Sequence, residues 1–399
     1  MKIQETLEQF PSKAEFENFH FVKKENGVKV IFMKYFYFDL SDEELNSIGK
    51  YSVEKNTIYF DAKQGIVDRK LIHLLLNNLH RNLKFRNGTR TVFIDNSPLI
   101  GARRFGIIDS DTNCIEVRPV TGCNLNCNYC SVDEGIKVKK TNYLIDRALI
   151  VNELRKLAEK KKSKELYIHI SAQGEPLLYG DLIGLVNDIS KISKVKEITI
   201  GSNGTFLTEE LINQLVEAGL SKYNISINAI DPEIAKKIAG CDYNIEKIKD
   251  IARYLAQKLN LIIAPTLIRG FNESEMPKII EFCKEIGAKI GIQNFLEYNG
   301  GRNPATQMPW ESFREKMKKW EEETGVKLIN PDYGFEIKED KVLDKPFKKE
   351  DIIVGDYAFE GYIVSGDRLI NVLNIGDRKG RMKVKILSDK YNTFTAKIS

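Results

Sequence analysis

Three of the chain's six cysteines, Cys123, Cys127 and Cys130, fall within eight consecutive positions, in the run Thr121-Gly122-Cys123-Asn124-Leu125-Asn126-Cys127-Asn128-Tyr129-Cys130. Three thiolates on one loop can ligate three irons of a [4Fe–4S] cube and leave the fourth iron open for chemistry. A single zinc ion is the competing reading, but a closed zinc site takes four ligands, and no histidine or fourth cysteine follows nearby. Six cysteines in 399 residues are too few for a disulfide scaffold, so the group of three points to metal binding in a reducing compartment.

Such a loop needs elements that hold it still. From Asn113 onward the apolar pattern alternates between short strand-like runs and helical periodicity, which predicts parallel strands joined by crossover helices. Strands are expected at Cys114–Val120, Leu166–Ser171, Glu197–Ile200, Lys222–Ala229, Asn260–Ile268 and Lys289–Phe295, with the first helix over Leu144–Lys161. Six such strands fit a partial barrel, and parallel α/β folds gather their functional groups at the strands' C-terminal ends. The cysteine loop follows the first strand directly. Residues 1–99 read as an α+β segment, with a β-rich stretch at Val28–Phe38 and an amphipathic helix over Asp68–Leu83 presenting Ile72, Leu75, Leu76 and Leu79. A connector at 338–350, rich in lysine, separates the 100–337 barrel from a small β-barrel at 351–399. There strands are expected at Tyr357–Val364, Leu369–Leu373, Met382–Leu387 and Thr393–Ile398.

The cysteine motif, with the aromatic Tyr129 before its last cysteine, resembles the radical S-adenosylmethionine (SAM) superfamily over about Asn113 to Phe295. The resemblance implies an α/β fold built on a partial (β/α)6 barrel, with a [4Fe–4S] cluster and SAM as cofactors. It also implies an electron donor such as ferredoxin or flavodoxin. Gln173-Gly174-Glu175-Pro176 is similar to the family's Gly-Gly-Glu-Pro turn, with Gln173 in place of the first glycine, and the resemblance gives Glu175 the methionine amino group of SAM. Ser202-Asn203-Gly204 at the end of the third strand, with Ser226 and Asn228 on the fourth, stand where related enzymes meet the ribose hydroxyls and the methionine carboxylate. Hydroxyl and amide groups suit that task because they both donate and accept. Gly270 and Ile292–Asn294, Asn294 included, stand where such enzymes cradle adenine.

The other cysteines, Cys114, Cys241 and Cys283, are scattered and read as buried small apolar residues. A thiol that carries a methyl group or donates a hydrogen atom is the functional alternative, and Cys241, in a loop after Gly240, is the candidate catalytic residue. His169 shares strand parity with Ser171, Gln173 and Glu175, so it either packs in the core or faces the lumen near SAM.

No stretch has the order of a signal peptide and no apolar run approaches the roughly 20 residues of a membrane span, so a cytoplasmic protein is expected. The formal charge of +5 is too small for this length to identify a nucleic-acid binder; its distribution is more informative. Between Gly366 and Ser399 eight Lys/Arg oppose three Asp, an excess equal to that of the whole chain. Tyr391 and Phe394 are interleaved with this charge, a combination that binds phosphates and stacks on bases. A solvated basic face is the alternative. The tail resembles a TRAM domain of the oligonucleotide-binding kind, on Val384-Lys385-Ile386-Leu387 and Asn392-Thr393-Phe394-Thr395-Ala396, and the combined order resembles an archaeal radical SAM family. RNA, either tRNA or rRNA, modified at a carbon position, is the partner this implies; the alternative is a small-molecule or peptide substrate, with the tail only capping the barrel or mediating assembly. No cysteine precedes Cys114, whereas methylthiotransferases with such a tail carry an N-terminal cysteine cluster, so sulfur insertion is not expected.

Overall fold

The structure is a computed structural model and describes Phe10–Ser399. The chain forms two compact units. The first runs to Ile94 and also takes Lys139–Leu144 and Leu178–Asp181; the second holds the remainder through Ser399.

In the first unit the strands Phe19–Lys24, Gly27–Phe32, Phe36–Ser41 and Lys84–Phe85 form an antiparallel sheet, and Ser12–Glu15, Thr57–Phe60 and Tyr51–Glu54 form another. The helix spans Gln64–Asn82, and its buried stripe is Val67, Leu71, Leu75, Asn78 and Leu79. Ile72 and Leu76, expected on that stripe, are 49% and 46% exposed. The run Leu74-Leu75-Leu76 offers two overlapping helical faces, and Val67 and Leu71 complete the other one.

The second unit is built on a seven-stranded sheet. Its six parallel strands are Cys114–Arg118, Leu166–Ile170, Val195–Ser202, Lys222–Ile225, Asn260–Ile263 and Lys289–Ile290, side by side in chain order, and Gly106–Asp109 adds an antiparallel edge. Helices such as Arg147–Lys160, Glu209–Glu217 and Ile245–Lys258 form the crossovers, each begun by a side-chain cap from Asp146, Thr208 or Asn244. Period-two alternation explains the layering. Ile115, Val117, Ile168, Ile170, Ile198, Ile200, Tyr223 and Ile225 are buried on one face, each contributing about 1.5–3 kcal/mol of apolar burial. Glu116, Arg118, His169, Ser171, Thr199 and Asn224 take the opposite parity, so the inner face is polar and bounds a lumen rather than a packed core.

Two strands expected to be long are interrupted. Asn260–Ile268 and Lys289–Phe295 leave the main sheet after Ile263 and Ile290, and Thr266–Leu267 then pairs separately with Gln293–Asn294, as Thr121–Gly122 does with Gln173–Gly174. The connector at 338–350 is anchored to the core. Asp340 is buried and accepts from the backbone amides of Lys162 and Ser163, while Lys161 donates to Asp109 Oδ1 (2.8 Å), the Thr112 carbonyl (2.9 Å) and the Asp340 carbonyl (2.6 Å).

The tail is a closed five-stranded barrel, ordered Ile352–Phe359, Tyr362–Ser365, Arg368–Leu373, Phe394–Ile398, Arg381–Ser388 and back to the first. The expected strand Tyr357–Val364 is two strands joined at Glu360-Gly361, where Gly361 (φ +81°) makes the reversal. Backbone pairing docks the barrel on the core: Leu369 N–H donates to the Ile100 carbonyl and Phe394 N–H to the Gly101 carbonyl. A side chain on Gly101 would stand 2.1 Å from the Leu369 oxygen, so only glycine permits that approach. Phe394, expected to stack on bases, is buried in the barrel core, and Arg368 is buried too. Alternation along the last strand sends Phe394 and Ala396 inward, which leaves Tyr391, 67% exposed, as the free aromatic of the pair.

Candidate active site

The loop that carries the three cysteines is tied down from several directions. Glu175 N–H donates to the Gly122 carbonyl, and the Gln173–Gly174 pairing fixes the strand immediately before Cys123. Gly174 has φ +136°, and a Cβ there would lie 1.8 Å from the Gly122 oxygen. Gln173 has no positive φ, so of the turn's two leading positions only Gly174 requires glycine. Asn126 and Asn128 amides donate to the carbonyls of Ala239 and Ile238 at the end of the helix Pro232–Ala239. Asn124 donates to Thr205 and accepts from Asn203, which links the cysteine loop to the Ser-Asn-Gly turn. Arg302 reaches back across the loop, donating to Asp133 Oδ1, the Cys127 carbonyl and the Glu134 carbonyl, and its own amide donates to the Cys130 carbonyl. Arg104 holds the buried Glu134 at 2.8 Å.

Cys123, Cys127 and Cys130 face a cavity of about 240 Å³ together with Tyr129, Gly174, Glu175, Ser202, Asn203, Ser226 and Asn228. Sequence reasoning named all ten. Burial, and then the Glu175 carboxylate, push the Cys123 thiol far above its ordinary range, and burial with the neighbouring Cys130 pushes Cys127 up to about 12. Metal must therefore displace protons to bind. Among the described residues no three Cys, His, Asp or Glu side chains are gathered as ligands of a single ion. In an iron–sulfur cube each thiolate takes its own iron, so three cysteines suffice and leave one iron open, whereas a closed tetrahedral zinc site takes four ligands. Backbone amides already point at two of them, Leu125 N at Cys123 Sγ and Glu134 N at Cys130 Sγ. Such hydrogen bonds are among the terms that set a cluster's potential.

Glu175 is 1% exposed, and its carboxylate accepts from Leu177 N (2.9 Å), Ser202 Oγ (2.7 Å) and Asn203 N (2.9 Å). Burial pushes its carboxyl up to about 7 against the pull of these donors. Three of its roughly four acceptor positions are taken, which leaves room for one more donor such as an ammonium. Asn228 donates to Tyr129 Oη (2.7 Å) and accepts from Thr266 N (2.8 Å), so both side chains are fixed at the cavity wall.

The structure does not bring every expected residue here. Gln173 lies in the strand pair behind the cavity. Asn294 is buried elsewhere, donating to the Met308 carbonyl, and Ile292 lines a different cavity. The Gly270 amide is engaged by Glu273 and the residue is not part of the wall. Cys241 follows Gly240, which abuts the Asn126 carbonyl, and sits beside the cysteine loop without lining the cavity. Tyr243, Gly201, Ala172 and Glu134 do line it and were not anticipated. Tyr243 and Glu134 reach the wall from loops without periodicity, so no sequence signal marked them.

A partial parallel barrel with three cysteines, a Gly-Glu turn and a polar rim at the strands' C-terminal ends defines a radical SAM enzyme. The chain matches the family model for the radical SAM superfamily over residues 117–283 and belongs to that superfamily, whose members use a [4Fe–4S] cluster and SAM and need an electron donor. Within it the chain shares a family with an uncharacterized protein of Methanocaldococcus jannaschii, to which it is 34% identical over 369 residues, 82% of this chain and 85% of that one. It is also 31% identical over 185 residues to the GTP 3′,8-cyclase of Aquifex aeolicus, a match covering 44% of this chain and about half (53%) of the cyclase. Among solved structures, one of TYW1 with a lysine-pyruvate adduct aligns with a TM-score of 0.43 at 18% identity, covering 73% of this chain and 92% of that chain.

Proposed function

We propose that this enzyme modifies a carbon position of a structured RNA, tRNA or rRNA, with the small barrel gripping the strand. With cluster and SAM bound, the pair would supply one-electron reductive cleavage of the sulfonium and, through it, hydrogen-atom abstraction from an unactivated C–H bond. Cys123, Cys127 and Cys130 would hold the cluster. Glu175 would receive the methionine amino group, while Ser202, Asn203, Ser226 and Asn228 would meet the ribose hydroxyls and the methionine carboxylate of SAM, and Tyr129 would be fixed against SAM by Asn228. Cys241 is kept as a candidate thiol beside the loop. The reductant would be a ferredoxin or flavodoxin of the cytoplasm.

The observation that carries the RNA reading is the outer face of the small barrel, which is TRAM-like in this proposal. Arg381, Lys383 and Lys397 are exposed there, and cross-strand pairing sets Val354 opposite Lys383 and Ile352 opposite Lys385. Exposed Ile352 and Val354, at 55% and 46%, amid this charge give the mixed basic and apolar surface suited to nucleic acid. A second reading, chemistry on a small nucleotide, is supported by the likeness to a GTP 3′,8-cyclase.

Charge reversal tests the first reading. Removing the tail would uncover Phe105, which packs on Phe359 and Tyr362, so Lys383→Glu with Lys397→Glu is the better perturbation. RNA affinity should fall and the salt dependence should lose about one unit of slope per phosphate contact removed. RNA binding unchanged by the double reversal, with an unchanged nucleoside inventory in cells lacking the gene, would leave the small-nucleotide reading.

A further inference from the structure

The sheet's inner face bounds a second cavity of about 330 Å³, at the opposite end of the lumen from the cysteines. That volume lies within the range of small-molecule sites, about 300–1,000 Å³. The two cavities nearly touch. His169 lines the lower one and Gly201 the upper, and a Cβ on Gly201 would lie 3.0 Å from the His169 ring.

The walls have a definite chemistry. Tyr167 and Phe335 pack at 5.5 Å between ring centroids, and Tyr333 stacks on Phe335 at 6.4 Å, so aromatic rings form one side. Ile262, Ala264, Gly291 and Ile292 form a low aliphatic side. A Cβ on Gly291 would stand 2.6 Å from the Tyr333 hydroxyl, so the glycine lets that ring lie close. Lys222 is paired: its ammonium lies 2.8 Å from Glu197 Oε2, donates to the Tyr333 carbonyl and stands 4.4 Å over the Phe335 ring. Asn224 is different. Its side chain faces the cavity, and among the described residues its buried Oδ1 accepts no hydrogen bond. A buried carbonyl oxygen left without a donor is costly, which points to a ligand that supplies one. Thr199 stands on the neighbouring strand and the His169 imidazole on the strand after that.

From this arrangement we infer that the lower lumen binds a planar nitrogen heterocycle of the nucleobase kind, with its N–H-bearing edge on Asn224 and its ring beside the Phe335 and Tyr167 side chains. A carboxamide reads an adjacent acceptor and N–H donor in a bidentate manner, the pairing it makes with adenine. The exposed Gln293 and Ile337 mark the cavity's open rim. The inference rests on the radical SAM reading and names the chemical class of its substrate; the base can belong to a free nucleoside or to an RNA strand.

The test is calorimetric binding to the anaerobically reconstituted holoenzyme with SAM, using adenosine, guanosine and a short single-stranded RNA as probes. At least one probe should bind, and Asn224→Leu should weaken it about tenfold or more, as expected for loss of a bidentate base contact. Phe335→Leu, read alongside with thermal melts of both variants, guards against a folding defect in the first. Binding of a nucleoside or of the RNA alone identifies the source, and either supports the site if both variants weaken it without lowering the melt. No binding by any probe, or binding indifferent to both substitutions, overturns it. Reductive SAM cleavage measured on the same samples separates the two claims: cleavage without base binding sinks only this site, and base binding without cleavage sinks only the radical reading.

Discussion

Lys161→Met removes an ammonium that stands where the barrel's edge strand, the first crossover helix and the 338–350 segment meet. The Lys161 and Asp109 side chains have no exposure, and all three ammonium protons are used, on Asp109, Thr112 and Asp340. Taking away one partner of a buried pair costs about 3–5 kcal/mol, and each carbonyl left without a donor adds to the penalty where water cannot reach it. Since methionine keeps the packing of the stem, about 4 kcal/mol is expected. With a urea slope on the order of 3 kcal/mol/M, the midpoint should fall by about 1.3 M. The assay is specific, because the chain's two tryptophans, Trp310 and Trp320, both lie on the helix Trp310–Thr324 of the same unit and report its unfolding. Burial already holds the Asp109 carboxyl above its ordinary range, and losing the ammonium raises it further. A carboxyl raised in the folded state costs nothing below its unfolded pKa and destabilises as pH rises through the folded value. The deficit should therefore be smallest near pH 4 and largest at neutrality. Lys161→Met combined with Asp109→Leu should recover at least half of it, since an apolar pair can replace a buried ion pair. A single-variant cost below about 1 kcal/mol, or a double variant as unstable as the sum of the singles, would refute the reasoning.

Three further outcomes follow from the site. Glu175→Gln puts an NH₂ among three donors and removes the charge available to an ammonium, so SAM affinity by equilibrium dialysis should fall about tenfold or more while iron content stays at the wild-type level. Gly174→Ala forces a Cβ into the Gly122 carbonyl, 1.8 Å away, so both SAM binding and cluster retention should fail; a variant with normal iron content would contradict the close approach. Arg302→Gln releases the loop from three acceptors, and the reconstituted protein should lose iron to a chelator faster than wild type, with Arg302→Lys intermediate because it keeps the charge but not the fork.

Much of the site was legible because its residues sit in short motifs at strand ends. The cysteine run, Gly174-Glu175, Ser202-Asn203 and the pair Ser226 and Asn228 all reach one cavity. Assignments that relied on strand length fared less well. The stretches Asn260–Ile268 and Lys289–Phe295 read as single strands, but each breaks midway, and Asn294 turns to the Met308 carbonyl instead of the lumen. Composition misjudged the tail, since a count of aromatics and cations does not tell which face of a five-residue strand Phe394 occupies or that Arg368 is buried. Long-range clamps left no trace at all. Nothing near Arg302 marks it as the residue that binds carbonyls roughly 170 positions away.

The central claim is that this one loop, with SAM beside it, performs reductive sulfonium cleavage. Anaerobic reconstitution with iron and sulfide, followed by reduction in the presence of SAM, should give one [4Fe–4S] cluster per chain and 5′-deoxyadenosine by chromatography. Cys123→Ala, Cys127→Ala and Cys130→Ala should each abolish both. A protein that retains zinc instead of iron, or one that takes up the cluster yet forms no 5′-deoxyadenosine with any low-potential reductant, would contradict the account.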